Sequence, residues 1–173
     1  PGNPGQYLLY FGRIHHDKGT WESIQIAKKT GLKLIISGII QDQTYFKEKV
    51  EPFINDDDIV FVGPSGPAQR DRLLGEALAL LHPVNFAEPF GLSVAEAMLC
   101  GTPVLAYNKG SMPELIEEGK TGFLVRTVEE AVERLPDLEK IRRAYCREWA
   151  AARFSREKMI ADYLDVYKKI LNR

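Results

Sequence analysis

Glu88 and Glu96 are the residues best placed to do chemistry. They belong to the stretch Glu88-Pro89-Phe90-Gly91-Leu92-Ser93-Val94-Ala95-Glu96-Ala97-Met98-Leu99-Cys100-Gly101. From Gly91 to Gly101 the only ionisable group besides Cys100 is Glu96. A helix here is apolar nearly all round and is expected to be buried. An unpaired carboxylate inside it would be expensive, so something must satisfy it: a buried Arg, backbone amides, or the hydroxyls of a ligand. A ribose diol suits the last case, because a carboxylate accepts from two adjacent hydroxyls in charge-assisted bonds of about 1.5–3 kcal/mol each. Glu88 precedes the same helix, and the free amides of Phe90, Gly91 and Leu92 are expected to point between the two carboxylates. An anion hole flanked by two hydroxyl acceptors has the layout of a phosphate with a sugar on each side, which is the shape of a sugar nucleotide.

A second segment, Gly12-Arg13-Ile14-His15-His16-Asp17-Lys18-Gly19, sets two cations in a turn between an apolar run and an amphipathic one. Arg13 can grip a phosphate bidentately and Lys18 adds a point charge. The order Lys-Gly-Thr is not that of a P-loop, and no G-x-G-x-x-G occurs. By itself the segment reads as a solvated basic loop. His15 and His16 invite a metal reading. Adjacent side chains are expected to diverge, and no Cys or His cluster completes a shell, so no metal is expected and the pair reads as loop surface.

These residues need a scaffold, and the chain supplies one by alternation. Apolar runs at Tyr7–Phe11, Leu32–Ser37, Ile59–Val62, Leu78–Leu81, Pro103–Tyr107 and Gly122–Val125 read as strands. Between them Thr20–Thr30, Gln43–Ile54, a segment opened by Pro67, and Leu92–Cys100 carry helical patterns. Fully apolar strands alternating with helices imply a doubly wound α/β domain: a parallel, Rossmann-like, six-stranded sheet with helices on both faces. Ligands of such sheets bind beyond the C-terminal ends of the strands, where both segments above would lie. From Val128 onward the chain reads as helix. Ser155 is the expected cap of its last helix, with Phe154 and Met159 as a hydrophobic staple. Ile160, Tyr163, Leu164, Tyr167, Ile170 and Leu171 form one apolar stripe, expected to pack on this domain; the sharper alternative is docking onto another.

Composition excludes several classes. The chain has 173 residues, 45% hydrophobic and 27% charged, as in an ordinary globular domain. Such a length buries roughly 70% of its unfolded surface, so it folds without staples. A net charge of -1 argues against a nucleic-acid binder. No apolar run approaches the ~20 residues that span a bilayer. Cys100 and Cys146 read as free thiols, and a cytoplasmic setting is expected. The opening Pro1-Gly2-Asn3-Pro4-Gly5 reads as a linker remnant over residues 1–6, followed by an α/β core over 7–127 and a helical tail over 128–173.

With these segments in view, the sequence resembles retaining glycosyltransferases of the two-domain GT-B architecture, family 4 in particular. The spacing Glu88-x7-Glu96 matches their E-x7-E motif. Gly12-Arg13 with Lys18-Gly19 resembles their G-R…K-G phosphate loop. Glu88-Pro89-Phe90-Gly91-Leu92, Glu96-Ala97-Met98 and Gly101-Thr102-Pro103-Val104 match the long signature. Gly110…Pro113-Glu114 and Gly119-Lys120-Thr121-Gly122-Phe123-Leu124-Val125 match the closing motifs. One departure is Lys109-Gly110, where the family often has two glycines.

The resemblance implies roles. Arg13 and Lys18 would bind the diphosphate of a UDP-, GDP- or ADP-sugar, Glu96 the ribose, and Glu88 hydroxyls of the transferred sugar. Gly12 would belong to the phosphate loop. The amides of Phe90, Gly91 and Leu92 would contact phosphate or sugar, and Val62–Pro67 would lie near the base. Transfer would proceed with retention, without a metal or other cofactor. The resemblance covers the family's C-terminal, donor-binding half. The acceptor would be bound by an N-terminal domain outside this sequence, without which the chain is expected to be inactive. Two other readings stand beside it: a non-catalytic nucleotide-sugar-binding or docking module, and a sugar-nucleotide epimerase of related fold.

Overall fold

A computed structural model describes residue 5 and residues 7–171. The expected linker remnant therefore lies outside the described residues, Gly5 apart. Six strands, β1 (Tyr7–Phe11), β2 (Lys33–Ser37), β3 (Ile59–Gly63), β4 (Ala79–His82), β5 (Val104–Tyr107) and β6 (Gly122–Val125), form one sheet in the order β3-β2-β1-β4-β5-β6. Every pairing is parallel. Leu8 and Leu9 show why the strands are apolar throughout. They are consecutive and face opposite sides of the sheet, yet both are fully buried. The doubly wound reading of the sequence is the observed fold.

The strand order sets the place of the site. The chain winds from β1 outward to β3, then returns to β4 on the other side of β1. Loops leaving β1 and β4 therefore part in opposite directions and open a crevice between them. Register pairs Tyr10 with Leu81, so the loop starting at Gly12 emerges beside His82.

Helices α1 (Thr20–Thr30), α2 (Gln43–Tyr45), α3 (Pro67–Glu76), α4 (Leu92–Leu99) and α5 (Met112–Leu115) connect the strands. The single helix expected over Gln43–Ile54 is not regular. After α2 it widens into a π segment, Phe46–Val50, and tightens into a 3-10 turn, Glu51–Phe53. Pro52 offers no amide to an α ladder, which accounts for the change of pitch. The short helix α5 has no counterpart in the sequence reading.

The tail comprises α6 (Val128–Arg134), a 3-10 turn (Leu135–Lys140), α7 (Arg143–Phe154) and α8 (Arg156–Leu171). Helix α7 packs on the body through buried Cys146 and Ala150. Its Arg143 donates to the carbonyls of Gly75 (2.7 Å) and Ala77 (2.9 Å) at the end of α3, and to Thr102 Oγ1 (2.6 Å). Ser155 caps α8 as expected, its Oγ accepting from the Lys158 amide at 3.2 Å. The expected packing of the α8 stripe on this domain does not occur: Ile160, Tyr163, Leu164, Tyr167, Ile170 and Leu171 are all exposed. Just before the helix begins, Phe154, the last residue of α7, meets Phe90 edge-on at 5.8 Å. No helix among the described residues is long and apolar enough to cross a membrane.

Candidate functional site

The crevice between β1 and β4 is a cavity of about 500 Å³, and Gly12, Arg13, Lys18, Glu88, Phe90, Gly91, Leu92 and Glu96 all line it. Two loops far apart in sequence thus meet at one place. Each residue is held there by a traceable local cause. The Gly12 amide is spent on the Ser37 carbonyl at 3.0 Å, so Gly12 continues the sheet's bonding and gives the cavity an absent side chain rather than a donor. Tyr10 lies buried beneath and donates its hydroxyl to the Arg13 carbonyl at 2.7 Å, holding the turn. The Arg13 side chain is exposed and bonded to Gln41 across the neighbouring loop.

Lys18 and Glu88 are paired. The ammonium meets Glu88 Oε2 at 2.6 Å, with the two side chains 13% and 14% exposed, and sits over the Phe86 ring at 4.4 Å. The sequence suggested both residues for the site but not their contact. A Lys has three donors, so it can hold Glu88 and still meet an anion.

Glu88 is anchored from behind by the segment after β5. The Ser111 amide donates to the Glu88 carbonyl at 2.9 Å, and Ser111 Oγ to the Phe90 carbonyl at 2.7 Å. Gly110, at φ 57°, lies so close that a Cβ there would stand 2.4 Å from the Glu88 amide and carbonyl. A glycine is obligatory at that contact. Its neighbour tolerates the departure to Lys109, whose ammonium reaches the Asn85 carbonyl at 3.2 Å.

Gly91 starts α4 in the left-handed region, at φ 90°. Val94 and Ala95 donate back to its carbonyl, while the amides of Phe90, Gly91, Leu92 and Ser93 donate to none of the described residues. The first three are the free donors expected from the sequence at a helix N-terminus, and Ser93 adds a fourth.

The expectation of an all-buried helix is corrected. Val94, Ala95, Ala97 and Met98 are buried, but Leu92 is 72% exposed and Glu96 sits at 34%. The apolar pattern is two-sided because one side faces the sheet and the other opens on the cavity and on a groove toward α8. The required partner of Glu96 is Arg70, Nη1 to Oε1 at 3.1 Å. Arg70 projects from α3 and also holds Asp71 at 3.1 Å, and these two carboxylates raise its pKa above the usual arginine value. The sequence reading named an arginine as one possible partner and missed which. Residues 62–67, expected near a base, do not line the cavity.

His82 is an unforeseen residue of the cavity wall. It is buried, and burial pushes its imidazole down to about 4, with Glu88 and Lys18 as the nearby charges. The sequence did hold a signal for it: one titratable residue closing an otherwise apolar strand. The histidine pair is corrected too. His15 and His16 do not diverge; their rings stack at 4.1 Å, and with Asp42 they form a trio able to hold an ion. The three lie outside the cavity lining.

Fold and cavity together define a doubly wound α/β domain with a cavity of cations, carboxylates and free amides at its topological switch point. The chain belongs to the glycosyl transferases group 1, whose sequence profile matches residues 3–156. An uncharacterized 41.2 kDa protein of the cps region of Klebsiella pneumoniae is 31% identical over 169 residues, which cover 93% of this chain and 46% of that protein. Among solved structures, the glycosyltransferase AviGT4 of avilamycin A biosynthesis superposes with a TM-score of 0.83 at 24% identity, over 98% of this chain and 52% of its own. Anabaena HepE, crystallised with UDP-glucose, has a TM-score of 0.81 at 25% identity, over 94% of this chain and 49% of its own. The chain spans about half the length of the relatives it matches.

Proposed function

We propose that this chain is the donor-binding half of a retaining glycosyltransferase that takes a nucleoside diphosphate sugar. The observation carrying the reading is the cavity itself: two cations, a row of free amides and two carboxylates converge at one switch point. Arg13 and Lys18 balance the diphosphate as it leaves. Free amides at the start of α4 take a phosphate or sugar oxygen. Glu96, steadied by Arg70, accepts from the ribose hydroxyls, and Glu88 from hydroxyls of the transferred sugar. Transfer with retention would need an acceptor held by the rest of the enzyme, since the relatives are about twice as long. HepE was crystallised with UDP-glucose, so UDP is the first nucleotide to try.

Titration of UDP, GDP and ADP into isotope-labelled protein tests the reading. Resonances of Arg13, Lys18 and the Phe90–Ser93 amides should move with one of the three. Silence with all three would sink the proposal. A shift confined to residues outside the cavity would sink its geometry.

A further inference from the structure

One group in the cavity wall has no part in the reading above. His82 ends β4, lines the cavity with Lys18 and Glu88, and is 8% exposed. Its Nε2 is closed to solvent and makes no hydrogen bond among the described residues. Buried polar groups are nearly always bonded. An orphan in the wall of a binding cavity therefore points to a partner that arrives with the ligand.

The surrounding charges narrow the choice. Glu88 and Lys18 are the charged groups the imidazole senses, Glu88 the more strongly. In the structure Glu88 depends on the Lys18 ammonium, 2.6 Å away, and both side chains are nearly closed off. A diphosphate carries more charge than a carboxylate and competes for that ammonium. A carboxylate left in so enclosed a place needs another donor. A neutral imidazole carries one N–H, and burial keeps His82 neutral.

We propose that His82 is a positioning residue for Glu88: its Nε2–H takes over the carboxylate when the diphosphate draws Lys18 away, and so holds Glu88 toward the transferred sugar. The inference rests on the nucleotide-sugar reading of the cavity. It predicts a split between ligands, because only the sugar-bearing donor uses the position of Glu88.

Calorimetry on the 173-residue chain provides the test, with the tightest binder among UDP, GDP and ADP compared with its glucose ester. The variants are His82→Phe, which keeps a ring and removes the donor; His82→Gln, which keeps an N–H; Glu88→Gln; and the His82→Phe/Glu88→Gln pair. His82→Phe should weaken the glucose ester roughly tenfold, the loss of one hydrogen bond to a charged group, while free nucleotide stays within about twofold. His82→Gln should recover most of the loss. In the Glu88→Gln background, where only an uncharged amide oxygen is left to accept, the His82→Phe effect should shrink clearly, since the two act as one unit.

A second readout needs no variant. In the wild-type ring spectrum the Nε2-bound proton should move downfield with the glucose ester and much less with nucleotide alone. Equal losses for both ligands, an undiminished His82→Phe effect without Glu88, or an unmoved ring proton at saturation would each overturn the inference and leave nucleotide binding standing. A wild type that binds none of the nucleotides or their esters overturns the underlying reading, and the inference with it.

Discussion

Each carboxylate of the cavity has a cation of its own, Lys18 for Glu88 and Arg70 for Glu96, and the two pairs differ in kind. The first is nearly closed off. The second is about one-third exposed and is expected to be weaker, because solvent screens it. This difference separates the roles. Glu96→Ala should weaken free nucleotide roughly tenfold, whereas Glu88→Ala should spare free nucleotide and weaken the sugar ester. Arg70→Ala should follow Glu96→Ala, and the penalty for removing a ribose hydroxyl from the nucleotide should shrink in both variants. Calorimetry with nucleotide, deoxynucleotide and sugar ester distinguishes the two; equal losses for Glu88→Ala and Glu96→Ala with free nucleotide would refute the division. His82 adds a pH dependence. Its pKa is about 4 folded against 6.5 for the free side chain. Between these values the unfolded chain binds the extra proton, so stability rises with pH from about 4 to 6.5 and the contribution is complete above that. The gain is on the order of 3 kcal/mol. Chemical denaturation of wild type and His82→Phe across this window measures it, and parallel pH profiles for the two proteins would contradict the assignment.

At the scale of elements, the tail is joined to the site through Arg143. Its guanidinium gathers two carbonyls at the end of α3 and the hydroxyl of Thr102, which itself donates to the Leu74 carbonyl. It thereby closes the C-terminus of the helix that carries Arg70 and ties α7 to the turn after α4. Burial lowers the Arg143 pKa, yet arginine stays charged. Arg143→Met leaves those acceptors unpaired and should cost about 2–4 kcal/mol. The measurement is a denaturant midpoint shift, and a loss below 0.5 kcal/mol, the usual bound for a plain surface substitution, would show that water replaces the side chain. None of this was visible in the chain beforehand, and the reason is physical. Strand and helix identity follow from local periodicity, so the doubly wound sheet and most element limits could be read directly. Pairings such as Arg143 with Gly75, or Arg70 with Glu96, depend on which helices become neighbours, and periodicity carries no such information. The apolar circumference of α4 misled for a related reason: a helix bordering a cleft has the same pattern as one in a core.

The molecule as a whole presents a cavity at the C-terminal ends of its central strands and a largely unpacked helix, α8, whose apolar stripe faces outward. The eight residues proposed from sequence for the cavity were legible because they come as two contiguous motifs, each carried whole into the crevice by one loop. The winding order that brings the loops together was not legible, since alternation of strands and helices fits several orders. With the strand order in hand, the division of labour follows. The charged side chains and free amides that the cavity offers are suited to hold phosphate and hydroxyl oxygens, and the matched relatives carry about as much chain again. Binding and turnover should therefore separate in this chain. It should bind nucleotide with Arg13, Lys18 and Glu96 engaged, yet release nucleoside diphosphate from a sugar ester no faster than buffer does. Complete enzymes commonly turn over at about 1–1,000 per second, so the gap is easily measured by coupled detection of released diphosphate beside calorimetry on the same sample. Enzymatic release in the presence of simple sugar acceptors would mean that this domain holds an acceptor by itself. Arg13→Ala should then abolish both binding and release, whereas a contaminating activity would survive that substitution.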